Sequence, residues 1–447
     1  MNDRHYPDGH IFYRRMGHPH PEIVRGEGVY LYAADGRRWL DGSGGPVLVN
    51  IGHGVEAVAD AIAAQARQVA YLHPTMFTAP VIEAYAAALA EVVPLADAKF
   101  YFLTSGSEAN ESAIKFARHL QVERGETGRT KVIGRWHSYH GTTLGTLAIS
   151  GRPSLRILYT EQFRDMPHID PPYCYRCPLK LEYPTCGIAC AQELAEEIVR
   201  QGPETVAAFI AEPVSGASLA AVVPPPEYWP MIRQICDEFG VLLIDDEVMA
   251  GFGRSGHWVA MTELWDVEPD IITFAKGTAG GNWPLSIMAV KGVDAETIFR
   301  ARGDFAHGGT FSHHVLGAAA GLATLGVLQE QDLIAASREK GAILKAKLVA
   351  AFGEHPNVGD IRGTGLMLGM EFVADRATKD PFPAARKFAY TLADEAFERG
   401  LIVYPSSGNV DGARGDMIMI APPFVISEGE MDELVGVLGE ALGVMVG

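Results

Sequence analysis

Two short apolar runs, each ending in charge, constrain this chain more than any other feature. Val241-Leu242-Leu243-Ile244 leads straight into Asp245-Asp246-Glu247, and Ile271-Ile272-Thr273-Phe274-Ala275 leads into Lys276. Uninterrupted apolar runs of about four to eight residues bounded by turn residues read as strands buried on both faces of a parallel sheet. Ligands of open α/β sheets bind beyond the carboxyl ends of the strands, so an acid and a lysine at two such ends can face one crevice. Runs at 99–103, 131–134, 206–210 and 285–290 repeat the rhythm.

Pyridoxal phosphate needs such a pair. A carboxylate at its pyridine nitrogen keeps that nitrogen protonated, so the ring can accept electrons, and a lysine carries the cofactor as a Schiff base. A phosphate site is also legible. Strand-forming residues 99–103 precede Thr104-Ser105-Gly106-Ser107 and a helical stretch from Glu108 to Arg124. Small residues at a helix start let an anion approach the unpaired N–H groups of the first turn, although the same pattern serves as a plain helix cap.

These motifs resemble those of the class III pyridoxal-phosphate aminotransferases of fold type I. The likeness rests on Leu243-Ile244-Asp245-Asp246-Glu247-Val248, Gly251-Phe252-Gly253-Arg254-Ser255-Gly256 and Ala275-Lys276-Gly277, and it runs over nearly the whole chain. It implies that Asp246 partners the pyridinium, Val248 packs on the ring, and Lys276 forms the Schiff base. Gly106 and Ser107 would hold the phosphate beside Ser105. Tyr139, in Tyr139-His140-Gly141, would stack on the ring with His140 next to it, and Glu212 would stand behind the ring. Thr310, in His307-Gly308-Gly309-Thr310, would reach the phosphate of a neighbouring subunit, making the catalytic unit a homodimer, with a tetramer also open. Arg414, beside Gly415, would grip a substrate carboxylate with its planar, permanently charged fork. The implied fold is a large domain with a mainly parallel seven-stranded sheet flanked by helices, plus a smaller α+β domain drawn from both termini. The divisions are 1–54, 55–330 and 331–447.

The chain departs from the family at the substrate pocket. Where many amine-accepting members carry a bulky apolar residue and a tryptophan, this sequence has Pro46-Val47-Leu48, so Val47 is expected to line a pocket lacking one aromatic wall, with Tyr71 nearby. Ala217 occupies the position of a second glutamate found in glutamate-specific members, which disfavours that donor.

Other segments are legible without the family. Two strands, 26–32 and 37–41, flank an Asp35-Gly36 hairpin turn. Residues 81–93 and those from Val315 into the 340s follow helical spacing. Strands are expected at 366–372, 401–404 and 417–420. Cys174, Cys177, Cys186 and Cys190 interrupt the α/β rhythm with a spacing open to a four-thiolate zinc site or to reduced thiols packing a loop.

Composition bounds the rest. With 447 residues, 48% of them hydrophobic, the chain exceeds the size at which single cores split. Its formal charge of -18 argues against nucleic-acid and anionic-membrane partners. No apolar stretch is long enough to span a bilayer, and Met1 to Tyr6 lacks a signal-peptide core, so a cytoplasmic location is expected.

The reaction the resemblance implies is a two-stage amino transfer. An amine or ω-amino acid displaces Lys276, which then moves the proton, and a keto acid, pyruvate foremost, takes the nitrogen in the second half. An aminomutase, a racemase or a decarboxylating transaminase would keep the same Asp246 and Lys276. A non-catalytic cofactor-binding protein stands further off.

Overall fold

The computed structural model describes residues 9–446; the stretch 1–6, read above for a signal-peptide core, lies outside them. In chain order the strands are β1 Ile23–Glu27, β2 Tyr30–Ala33, β3 Arg38–Asp41, β4 Lys99–Leu103, β5 Lys131–Arg135, β6 His168–Ile169, β7 Val206–Ala211, β8 Leu242–Asp246, β9 Ile271–Phe274, β10 Ser286–Val290, β11 Val358–Thr364, β12 Met367–Phe372, β13 Leu401–Ile402, β14 Tyr404–Ser407 and β15 Asp416–Ile420. Seven of them form the central sheet, in the order β4-β10-β9-β8-β7-β5-β6.

Neighbours from β9 to β6 run parallel, and β10 is antiparallel to both β9 and β4. The reversal follows from the linker 275–285, which is too short for the helical crossover a parallel strand requires. β7, β8, β9 and β10 are buried at every position, which is why they read as unbroken apolar runs. Successive side chains alternate between the two faces. Leu242 and Ile244 pack with Phe116 and Leu120 of the helix Gly106–Glu123, whereas Leu243 packs with Ile198 and Trp229 from the helices Ala189–Gln201 and Tyr228–Phe239.

Around this sheet the two ends of the chain meet. β13 pairs in parallel with β3, Leu401 opposite Leu40, and so extends the N-terminal meander β1-β2-β3. β11, β12, β15 and β14 make an antiparallel sheet. The cysteine-bearing segment docks on that sheet through Glu371, whose buried carboxylate accepts from Tyr173, Arg176, Arg362 and Asn409.

Three expectations change in detail. The stretch 26–32 is two strands, because Gly28, at φ 57°, turns the chain between β1 and β2. The helical stretch from Val315 breaks at Asp332, which adopts φ 49°, giving the helices Val315–Glu330 and Leu333–Phe352. The strand at 401–404 is split at Val403, where the chain leaves one sheet and enters the other.

One side chain ties these parts together. The buried guanidinium of Arg254 donates to the carbonyls of Val49 (2.9 Å), Leu366 (3.0 Å), Ala421 (2.8 Å) and Pro422 (2.7 Å). Among the described residues no carboxylate bonds it, so its removal would strand four buried carbonyls at about 1–3 kcal/mol for each that water cannot reach. Arg254→Met is therefore expected to lower the thermal midpoint by several degrees, and Arg254→Lys to recover only part of the loss, since an ammonium cannot span the same four acceptors; differential scanning calorimetry measures both.

Candidate active site

A cavity of about 250 Å³ opens at the carboxyl ends of the parallel strands. β8 delivers Asp246, β9 leads into Lys276, β7 leads to Glu212, β5 to Tyr139 and His140, and β4 to Ser105, Gly106 and Ser107; all eight line the cavity, and so does Val248. The sequence pattern thus brought together the residues it singled out on the strand ends.

Asp246 is 2% exposed and held by three donors. Its Oδ2 accepts from Asn110 Nδ2 at 2.8 Å and from His140 Nδ1–H at 2.7 Å, and its Oδ1 accepts the Val248 amide at 3.1 Å. Asn110 is fixed in turn: it donates to the His140 carbonyl (2.8 Å) and accepts from Thr273 Oγ1 (2.7 Å) on the adjacent strand. A buried carboxylate with charge-assisted donors on both oxygens keeps one orientation. Glu212 lies close by, its Oε1 accepting the Gly216 amide (3.1 Å) and its Oε2 buried without a partner. Burial pushes the Glu212 carboxyl up, and Asp246 adds to that push.

Lys276 adopts φ 44°, a conformation a lysine rarely takes, and its Nζ donates to the Pro46 carbonyl at 2.8 Å. Val47, next to that carbonyl, is itself at φ 62°. For a β-branched residue this is a true outlier, and such strain persists where the surroundings fix it. Desolvation lowers the Lys276 ammonium to about 8, against the opposing pull of Asp246 and Glu212.

The helix Gly106–Glu123 starts at the cavity. Ser105 caps it, its Oγ accepting the Glu108 amide (3.2 Å) while the Glu108 carboxylate accepts the Ser105 amide (3.0 Å). The Ser105 hydroxyl is therefore engaged in the cap, and the amides of Gly106 and Ser107 are left in the first turn, where helices have no internal acceptors. A Cβ on Gly106 would come within 2.9 Å of Val248 Cγ1, so only glycine keeps this wall open.

Four sequence-predicted positions fall elsewhere. Val47 is 2% exposed and packs into the core; its neighbour Leu48 lines the cavity instead. Tyr71 is 43% exposed and meets Phe311 and His314 outside the cavity of its own chain. Thr310 is exposed on the loop before Phe311. Arg414 is also exposed and donates from Nε to Asp411 at 2.7 Å. The expected loss of an aromatic wall is offset by Trp283, which lines the cavity and stacks on His314.

Sequence reading missed Trp283, Leu48, Met249 and, above all, Asn110. Asn110 carried a usable signal, since it lies four residues after Gly106 and so on the same helical face. The four clustered cysteines border one small pocket, and all are free thiols. Burial pushes the Cys190 thiol up to about 12. Among the described residues no group of three or more histidine, cysteine or acidic side chains is arranged to hold a metal ion.

A mainly parallel α/β sheet with a lysine and a buried carboxylate lining one cavity at its carboxyl edge is the arrangement of a fold type I transferase of the pyridoxal-phosphate kind. The chain belongs to the class-III aminotransferase family, whose model matches residues 12–442. It is 40% identical over 423 residues to the uncharacterized aminotransferase YodT of Bacillus subtilis, covering 95% of each chain. It is 34% identical to the putrescine–pyruvate aminotransferase of Pseudomonas aeruginosa, covering 92% of this chain and 88% of that one. Among solved structures it is similar to a thermostable (S)-enantioselective omega-transaminase from Thermomicrobium roseum, with a TM-score of 0.88, 38% identity, and coverage of 99% of this chain and 97% of that one.

The lowered Lys276 ammonium has a direct consequence. Only the neutral amine is nucleophilic, so acylation of Lys276 followed by mass spectrometry is expected to reach half its maximum near pH 8, whereas ordinary lysines keep rising past about pH 10.

Proposed function

We propose that this aminotransferase holds pyridoxal 5'-phosphate in the cavity above β8 and β9 and moves an amino group from an amine or ω-amino acid to a keto acid, pyruvate foremost, in two ping-pong halves. The convergence of Asp246 and Lys276 on one cavity carries the reading. The residues present fit the group. A flat ring has room beside the Gly106 wall that a Cβ would close, and a phosphate meets a capped helix start.

When bound, the cofactor supplies an electron-accepting ring and a carbon that exchanges one amine partner for another. Asp246, oriented by Asn110 and His140, accepts the hydrogen of a ring N–H and keeps it in place. Lys276 takes a proton from the substrate carbon at Nζ and returns one; with its ammonium lowered to about 8, a useful fraction is neutral near pH 7. The Gly106 and Ser107 amides hold the phosphate, Tyr139 and Val248 restrict ring tilt, and Glu212 and His140 close the polar side. Leu48, Met249 and Trp283 give the cavity an apolar wall, which favours amines over a second charged donor group.

Thr310 and Tyr71 are exposed and share the neighbourhood of Phe311, which supports a homodimer in which each serves the partner's cavity. Arg414 would release Asp411 to take the carboxylate of the keto acid. The pairing of β3 with β13 supports a small unit made of 1–54 and 331–447 beside a large unit of 55–330.

Absorbance tests the reading directly. Purified protein with pyridoxal phosphate should show a visible band that single amines bleach in the absence of keto acid and that pyruvate restores. A normal band that no donor bleaches would turn the assignment to a racemase, an aminomutase or a decarboxylating enzyme. Lys276→Ala is expected to abolish the band and to cut turnover by about 10²–10⁴-fold or more; full turnover in that variant would sink the mechanism.

A further inference from the structure

Two acids flanking Asp246 have no part in the chemistry above, and they form a carboxyl pair of their own. Asp246 lies on the sheet face of the helix Gly106–Glu123, where Asn110 reaches it. By the alternation along β8, Asp245 lies on the opposite face, with Leu243. Among the described residues no donor meets it there: both of its oxygens are buried without a hydrogen bond, and so is Oε2 of Glu247. Glu247 Oε1 accepts the Met261 amide at 3.0 Å, and the Glu247 carboxyl lies within hydrogen-bonding reach of Asp245. Asp245, Asp246 and Glu247 are 0%, 2% and 1% exposed, so bulk solvent does not reach them.

The charged groups facing the pair are few. Asp246 is the adjoining carboxylate, and Arg135 approaches from β5. Arg135 does not reach the pair. Its Nη2 donates to the Glu212 carbonyl at 2.6 Å, its Nη1 has no partner, and the guanidinium lies over the Trp229 ring. Two carboxylates in contact, closed off from water and short of donors, cannot both stay ionised.

We propose that Asp245 and Glu247 share a single proton, the O–H of one donating to an oxygen of the other, and that this neutralisation keeps Asp246 as the carboxylate whose full charge faces the cavity. The shared hydrogen engages two of the three orphaned oxygens and removes one of three consecutive buried charges. Burial raises both carboxyls, Glu247 pushes Asp245 further up, and the hydrogen bond with Asp245 draws Glu247 back down, in agreement with one proton retained between them. The second half of the proposal rests on Asp246 serving the cofactor ring; the first half does not.

Infrared spectroscopy of the cofactor-free protein at neutral pH tests the shared proton. The expected result is a protonated-carboxyl C=O band that disappears in Asp245→Asn and in Glu247→Gln, because an amide then supplies the hydrogen, and that survives in Glu212→Gln, the other buried carboxyl raised by desolvation. Two variants at different sites keep the test open if one fails to fold. A wild-type spectrum without the band, or a band lost only in Glu212→Gln, overturns the pair. For the second half, the visible band of the loaded enzyme is titrated upward in pH. Wild type should show a step as the pair releases its proton and adds charge behind Asp246, and Asp245→Asn, with no proton to release, should lack it. An identical step in both proteins overturns the service to Asp246. If the infrared assignment holds and no visible band forms at all, the cofactor reading fails and the shared proton stands.

Discussion

The architecture depends on one buried cation. Arg254 sits where the loop ending in Val49, the turn before β12 and the segment after β15 converge, and its guanidinium bonds a carbonyl from each. A carboxylate there would satisfy the charge at one point; four carbonyl dipoles satisfy it from several directions and so fix the relative positions of residues distant in sequence. The loop held by Val49 is also the one whose Pro46 carbonyl accepts from Lys276. The cavity floor from β9 and the wall from the N-terminal loop are thus braced against the same side chain.

Around that brace the site divides its polar work between the two faces of β8. One face carries Asp246, held by Asn110, His140 and the Val248 amide, and therefore fixed in orientation with room for one further donor. The other carries Asp245 and Glu247, short of donors and therefore driven toward sharing a proton. Adjacent residues of one strand acquire opposite electrostatic roles simply because successive side chains point to opposite sides of a sheet. Strain collects at the same place: Lys276 and Val47 both hold positive φ on either side of the Lys276–Pro46 contact. Their neighbours over-determine them, which keeps the amine aimed into the cavity.

Much of the fold was legible because fully buried strands must be apolar throughout, and β7, β8, β9 and β10 are. The helix start after Ser105 and the Asp35-Gly36 turn were legible for a similar reason, since both depend on side chains close in sequence. The missed strand β11 and the break at Asp332 had weaker local marks. β11 has a mixed burial pattern, and nothing around residue 332 announces a left-handed turn. For the site, Asp246, Lys276 and Gly106 stood out by position at strand ends, whereas Asn110 hid among the polar residues of an amphipathic helix. Val47 and Leu48 show the limit most plainly: the loop was found, but a single positive φ turned one side chain into the core and left its neighbour facing the cavity.

By itself the sequence determined which strands would be buried, that an acid and a lysine would stand at two of their carboxyl ends, and that a helix would begin beside them, because each of these follows from local pattern and the two-residue period of a strand. Tertiary structure decided the rest. It chose which of three consecutive acids meets Asn110 and His140, lowered the Lys276 ammonium by enclosing it, supplied an aromatic wall from Trp283, and left Arg414 outside on Asp411. Except for the local Arg414–Asp411 pair, those outcomes depend on contacts between segments distant in sequence, such as Asn110 with Asp246, and on exclusion of water, and neither has a signature in neighbouring letters of the chain.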